Sequence, residues 1–175
     1  MQLLECRLEI DDLDSFVADL NEIGDRHDVT IQAFDARYVA DRRHVERAVE
    51  LADRAIDRGD NVARNRAVEI LLYAAGRRQI DRALEMGVGE GENRAVVLVD
   101  SVDDENDEAD GENEAAAIED VTALEACLER TPTLESTDEG TLCDFFEITD
   151  AERAATDASL AALVRERVAL LEVEK

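Results

Sequence analysis

Residues 70–75 read ILLYAA, and with Val68 they form a stretch of helical length that is apolar nearly all round. A helix without a polar face has to be enclosed by other elements. A second stretch puts the same demand on a sheet. RAVVLV at 94–99 is an unbroken apolar run, the pattern of a central strand covered on both faces. The chain must therefore bury one whole helix and one whole strand, which calls for a layered α/β arrangement.

The remaining periodicities supply the layers. In LLECRLEI, Leu4, Cys6, Leu8 and Ile10 alternate with Glu5, Arg7 and Glu9, which predicts a half-buried strand. Leu13, Phe16, Val17, Leu20 and Ile23 follow at helical spacing up to Gly24. VTIQAF at 29–34 reads as a second strand, and Val45, Ala48, Val49, Ala52 and Ile56 as one face of a helix ending at Gly59. Gly76 ends or bends the apolar helix, and Ile80, Ala83 and Leu84 start another turn that stops at Gly87. After the central strand, Ile118, Val121, Leu124 and Leu128 predict a helix, broken at Thr131-Pro132-Thr133. Leu142, Phe145 and Phe146 predict a short one. Thr149 to Glu152 is a capping-box pattern. It opens a terminal helical region with Leu160, Leu163, Val164, Val168 and Leu171 as its stripe. The expected fold is α/β: a small mixed β-sheet of few strands packed with about six helices, in a single domain over 1–175. Residues 103–114, DDENDEADGENE, hold eight carboxylates in twelve residues. They read as a solvated, disordered acidic insert.

Several function classes are poorly supported. The three cysteines, Cys6, Cys127 and Cys143, are scattered without a CxxC, so zinc and disulfide frameworks are not indicated, and buried thiols in a reducing cytoplasm are. No apolar run approaches a membrane span and no signal peptide is expected. His27 and His44 both lie in polar stretches and read as exposed surface residues. GxSxG, HExxH, P-loop and GxGxxG motifs are absent. GVGEGEN at 87–93 is glycine-rich, but it follows a helix, precedes a strand and carries two glutamates, the wrong order and charge for a phosphate loop. No catalytic residue, metal ligand or cofactor is expected.

Charge narrows the search further. The formal net charge is −26, and 45 acidic residues face 19 basic ones, all but one of them arginine. Such a surface, with few lysines, suits a protein of a salt-rich cell, where carboxylates keep proteins soluble. Against that background residues 37–94 are nearly neutral, with 12 arginines and 11 carboxylates. Within them Arg77, Arg78 and Gln79 follow directly on the buried helix and its glycine, with Arg64 and Arg82 nearby. Two readings are open. Cations past a helix C-terminus complement its dipole by about 0.3–1 kcal/mol. Alternatively, forked guanidinium and amide donors on a rigid edge suit phosphates and base edges.

EILLYAAGRRQIDRAL, the MGV turn after it and RAVVLV resemble the Cgi family of small KEOPS-complex subunits, the archaeal relatives of the PRPK-binding protein. FFEITDAERAATDASLAALVRERVALLEVEK resembles that family's C-terminal segment, and HVERAVELADRA matches its preceding helix more loosely. The resemblance covers most of residues 1–175 and is weak in the first thirty; the acidic insert departs from it, as befits a member from a halophilic archaeon. It implies a non-catalytic, cytoplasmic subunit that binds and supports the Bud-type protein kinase. It further implies contact with the other KEOPS subunits through that kinase, and recruitment of tRNA through its 3′ CCA end for threonylcarbamoyl-adenosine modification. Arg77, Arg78 and Gln79 carry the implied RNA contact, with Arg64 and Arg82 as lesser candidates. No kinase-facing residue follows from it. The competing reading is a small-anion-sensing α/β regulatory domain in which the same arginines grip a metabolite.

Overall fold

The computed structural model describes residues 1–101, 107–135 and 137–174. The chain packs as two compact units, Met1–Ala36 with Val88–Thr133, and Arg37–Gly87 with Leu134–Lys175.

The first unit is built on four strands, β1 (Gln2–Ile10), β2 (Val29–Asp35), β3 (Gly91–Ser101) and β4 (Cys127–Arg130). They lie in the order β2-β3-β1-β4. A mixture of strand directions was expected, and every ladder is antiparallel. Helices α1 (Leu13–His27) and α5 (Asp107–Thr122) pack with it. The alternation in β1 sets the register: Leu4, Cys6, Leu8 and Ile10 join Ile31, Ala33, Val97 and Val99 from the neighbouring strands in one core. Phe16, Leu20 and Ile23 of α1 and Ile118 and Val121 of α5 complete it. The intervening residues Val96 and Leu98 of β3 are buried too, as an unbroken apolar run requires.

Three local expectations are corrected here. Gly24 does not stop α1; a Cβ there would sit 2.8 Å from the Val29 carbonyl oxygen, so the glycine serves close packing of helix on strand. The stop is Asp28, in the left-handed region at φ 54°. Leu128 belongs to no helix: α5 ends at Thr122, and Leu128 lies exposed on β4, a four-residue strand too short for its alternation to register. The acidic stretch 103–114 is divided. Residues 103–106 lie outside the described residues, whereas 107–114 are the first half of α5, helical where a disordered insert was expected. One of its carboxylates is buried. Glu114 Oε1 accepts from the backbone N–H of Ser101 at 3.0 Å and from its Oγ at 3.1 Å, which ties the end of β3 to α5.

The second unit is helical. It contains α2 (Arg42–Arg58), α3 (Arg66–Ala75), α4 (Ile80–Ala83), α6 (Glu139–Phe146), α7 (Asp150–Ala154) and α8 (Leu160–Glu174). α3 is the enclosed helix demanded by the sequence: Glu69 to Ala75 are buried without interruption. α2 and α8 pack against it and against each other, with Val45, Ala48 and Ala52 of α2 and Val164, Val168 and Leu171 of α8 turned inward. Arg66 of α3 binds Asp53 of α2 bidentately, Nε to Oδ1 at 2.7 Å and Nη2 to Oδ2 at 2.8 Å. Arg54 and Arg58 of α2 both reach Glu172 of α8. The one carboxylate inside α3 is satisfied, since Glu69 Oε2 accepts from the backbone N–H groups of Val62 and Ala63 at 3.1 and 2.8 Å. No helix among the described residues is long and apolar enough to cross a membrane.

Candidate functional site

The turn that follows α3 is fixed from three sides. Gly76 caps the helix at φ +62°, its N–H bonding to Tyr73 O while Arg77 N bonds to Leu72 O. This is the left-handed glycine stop of a helix whose last carbonyls need donors. The Arg167 carbonyl oxygen of α8 lies 3.3 Å from where a Cβ on Gly76 would stand, so a side chain there would press on the α8 backbone. Beneath the turn, His44 of α2 is fully buried. Its Nδ1 accepts from Ala40 N at 3.1 Å, which leaves the proton on Nε2, and Nε2 donates to Ala74 O at 2.8 Å. Burial pushes this imidazole down to about 4, so it is neutral at pH 7. His44 was expected at the surface; its polar neighbours in sequence hid a donor and acceptor aimed into the core. His27 is half-buried against Asp120, at 2.6 Å from its Oδ2.

On this frame the five candidate residues separate. Arg77 is half-buried. Its Nη2 donates to Phe145 O, and its guanidinium lies over the Phe145 ring at 5.1 Å from the centroid. Arg167 does the same service next door, donating from Nε to Phe146 O at 3.1 Å and from Nη2 to Glu147 O at 3.3 Å. Two arginines thus satisfy the orphan carbonyls at the end of α6, the arrangement a helix C-terminus favours. Arg77 is a helix cap after all, but of α6 and not of the helix it follows.

Arg78, Gln79 and Arg82 are exposed. Their side chains make no hydrogen bond or ion pair among the described residues. Most other arginines of this acidic chain are engaged, among them Arg7, Arg26, Arg42, Arg47, Arg54, Arg58 and Arg165 in ion pairs. Uncommitted guanidinium groups on adjacent turns are therefore a local feature. They share the corner with Asp81 and Glu85, and with the exposed apolar side chains of Ile80 and Leu84. Arg64 is exposed and uncommitted as well, but it precedes α3, at the far end of a 10-residue helix. At 1.5 Å per residue that helix separates it from Arg78 by about 15 Å. The corner is Arg78, Gln79 and Arg82, held up by Arg77, and Arg64 stands apart from it.

The described residues hold no cluster of three or more side chains able to ligate a metal. Cys6 is no ready nucleophile: burial, with Cys127 beside it, pushes its thiol up to about 12. A cavity of about 510 Å³ in the first unit is lined by Glu9, Asp11, Asp12, Asp19 and Glu125, carboxylates that repel an anion, and the arginine corner contributes none of its walls.

Comparison with known proteins decides the lineage. Residues 11–172 match the model of the family described as kinase binding protein CGI-121. The chain belongs to the CGI-121 family. The match takes in all of α3, the Gly76 turn and nearly all of α8. A search of the curated proteins found no match.

Proposed function

We propose that this CGI-121 family chain acts, as one kinase-binding domain, as a non-catalytic subunit of the KEOPS complex. It binds and supports the Bud-type kinase and helps recruit tRNA by its single-stranded 3′ CCA end. The family description, kinase binding protein, supports a kinase as partner. The apolar side chains of α6 and α8 divide by exposure. Leu142, Phe145 and Phe146 are buried, whereas Leu170 and Val173 of α8 are exposed, Val173 by 79%. Those two form the apolar surface on which a kinase lobe would rest.

The observation that carries the RNA part is the uncommitted, exposed trio Arg78, Gln79 and Arg82 in a chain of net charge −26. Planar guanidinium and amide donors read the phosphates and splayed base edges of a single strand without a broad basic face. Anion sensing by an enclosed pocket gains nothing from this corner, which is open. The acidic composition fits a cytoplasm of high salt, where contacts at short range matter and long-range attraction is screened.

The test separates the two halves. Purified chain, kinase and tRNA are combined in molar KCl. Arg78→Glu with Arg82→Glu is expected to abolish tRNA retention and spare the kinase, and Leu170→Asp with Val173→Asp to do the reverse. A wild-type chain that holds neither partner sinks the proposal.

A further inference from the structure

Phe145 stands at the centre of a run of four side chains. The Arg77 guanidinium lies over its ring at 5.1 Å, and the Tyr38 ring meets it edge to face, with centroids 5.0 Å apart and planes at 67°. Arg37 lies 5.6 Å from the Tyr38 centroid, over the ring. The run starts beside Arg78 and ends on Arg37, which is exposed.

Tyr38 is unusual in this molecule. The chain has four phenylalanines, two tyrosines and no tryptophan. Phe16, Phe34, Tyr73, Phe145 and Phe146 are buried, and Tyr38 alone keeps its ring partly in solvent. Its hydroxyl makes no hydrogen bond among the described residues, so no polar tether explains why it stays at the surface. The Phe145 contact fixes one side of the ring and a guanidinium plane covers it. Arg37 is also in the field of Asp138, the cap of α6, so it serves here as a plane and not as spare charge.

We infer that Arg37 and Tyr38 form a stacking platform for one unpaired base of the RNA strand whose phosphates and base edges are met by Arg78, Gln79 and Arg82. The inference rests on the RNA reading above and adds a second kind of contact to it. Bases splayed from a single strand stack on aromatic rings and on guanidinium planes. Stacking is tolerant of sequence, and it persists where salt has displaced much of the phosphate contribution. Arg77, bound to the Phe145 carbonyl and seated on its ring, sets the distance between the platform and the arginine corner.

The probe is a synthetic RNA hairpin with a single-stranded 3′ overhang ending in CCA, intact or with an abasic nucleotide at each overhang position in turn. Tyr38→Leu is expected to weaken binding of the intact RNA about tenfold, within the range measured for loss of one stacked base. Tyr38→Phe keeps the ring and is expected to bind as the wild type does. The Tyr38→Leu loss should vanish on one abasic RNA, which has no base to stack; a merely structural role would weaken every RNA alike. Equal loss on all the abasic RNAs, or no loss while Arg78→Glu abolishes binding, overturns the platform and leaves the RNA site. Failure of the wild type to bind, or indifference to Arg78→Glu, overturns the RNA reading and the platform with it.

Discussion

His44 donates from Nε2 to the carbonyl oxygen of Ala74, joining the first half of α2 to the last turn of α3 inside the second unit. The same ring accepts from Ala40 N and meets Phe146 edge to face, so one imidazole ties together the loop before α2, the end of α3 and α6. Burial lowers its affinity for a proton from the ordinary 6.5 to about 4. The bond to Ala74 O and the charge of Asp41 act against that shift, and Arg165 acts with it. The unfolded chain takes up a proton near 6.5 that the folded chain refuses until about 4. Stability therefore falls on acidification between those values, by up to about 1.4 kcal/mol per pH unit from this group, and is indifferent to it above them. Urea unfolding across that range should show a steeper decline for the wild type than for His44→Gln, which keeps a donor and an acceptor without titrating. Parallel declines would show that the ring is not held neutral.

Arg77 and Arg78 are neighbours in sequence and should differ in every assay. Arg77→Ala removes a donor from the end of α6 and a cation from the Phe145 ring, at about 1–3 kcal/mol. Arg78→Ala touches nothing folded and should stay within about 0.5 kcal/mol of the wild type. Thermal melts separate them at once; equal melting temperatures would return Arg77 to the surface trio.

Replacement of Gly76 by alanine meets two obstacles. Its φ of +62° lies in the left-handed region, and the new Cβ would stand 3.3 Å from the Arg167 carbonyl oxygen. The left-handed conformation alone costs about 1–2 kcal/mol for a residue with a side chain. Gly59→Ala, at φ +75° with nothing within 4 Å, carries only the first of these. The Gly76 variant should lose more stability, and the difference between the two measures how firmly α8 presses on the turn.

Glu69 is the polar exception within α3 and accepts two backbone N–H groups from the loop before it. Glu69→Ala strands both donors in a buried place, at about 1–3 kcal/mol for each group left without a partner. Glu69→Gln keeps an accepting oxygen and should recover much of the loss. A glutamine variant as unstable as the alanine one would mean that the charge matters more than the bonds.

Long periodic segments were legible in the sequence, and so was the enclosed helix, because an apolar run with no polar face admits one environment. The alternation of β1 named its core residues correctly, Leu4, Cys6, Leu8 and Ile10. β4 was not legible. Four residues show too little alternation, and CLER becomes a strand only by pairing with β1 across a register shift at Arg7 and Leu8. Glu114 lay hidden in a run of carboxylates because its partner, Ser101, comes from another element. At the site, local sequence could say that arginines follow a helix end. It could not say whose helix end they serve: Phe145 lies 68 residues from Arg77. Tyr38 carried no signal at all, since its meaning comes from being the one ring left partly in solvent in a molecule that buries the others.

The place of α8 bears on how the protein is made. α2 and α3 leave the ribosome early, whereas the helix that closes over them is synthesised only after the whole sheet-forming stretch Val88–Thr133 has appeared. Until then a helix buried from Glu69 to Ala75 in the finished protein has part of its apolar surface uncovered. Transiently bare apolar surface is what drives nascent chains to aggregate. Messages cut short before Leu160 should accordingly yield inclusion bodies or chaperone clients, and a growing chain should need guarding longest just where its most apolar helix waits for its last neighbour.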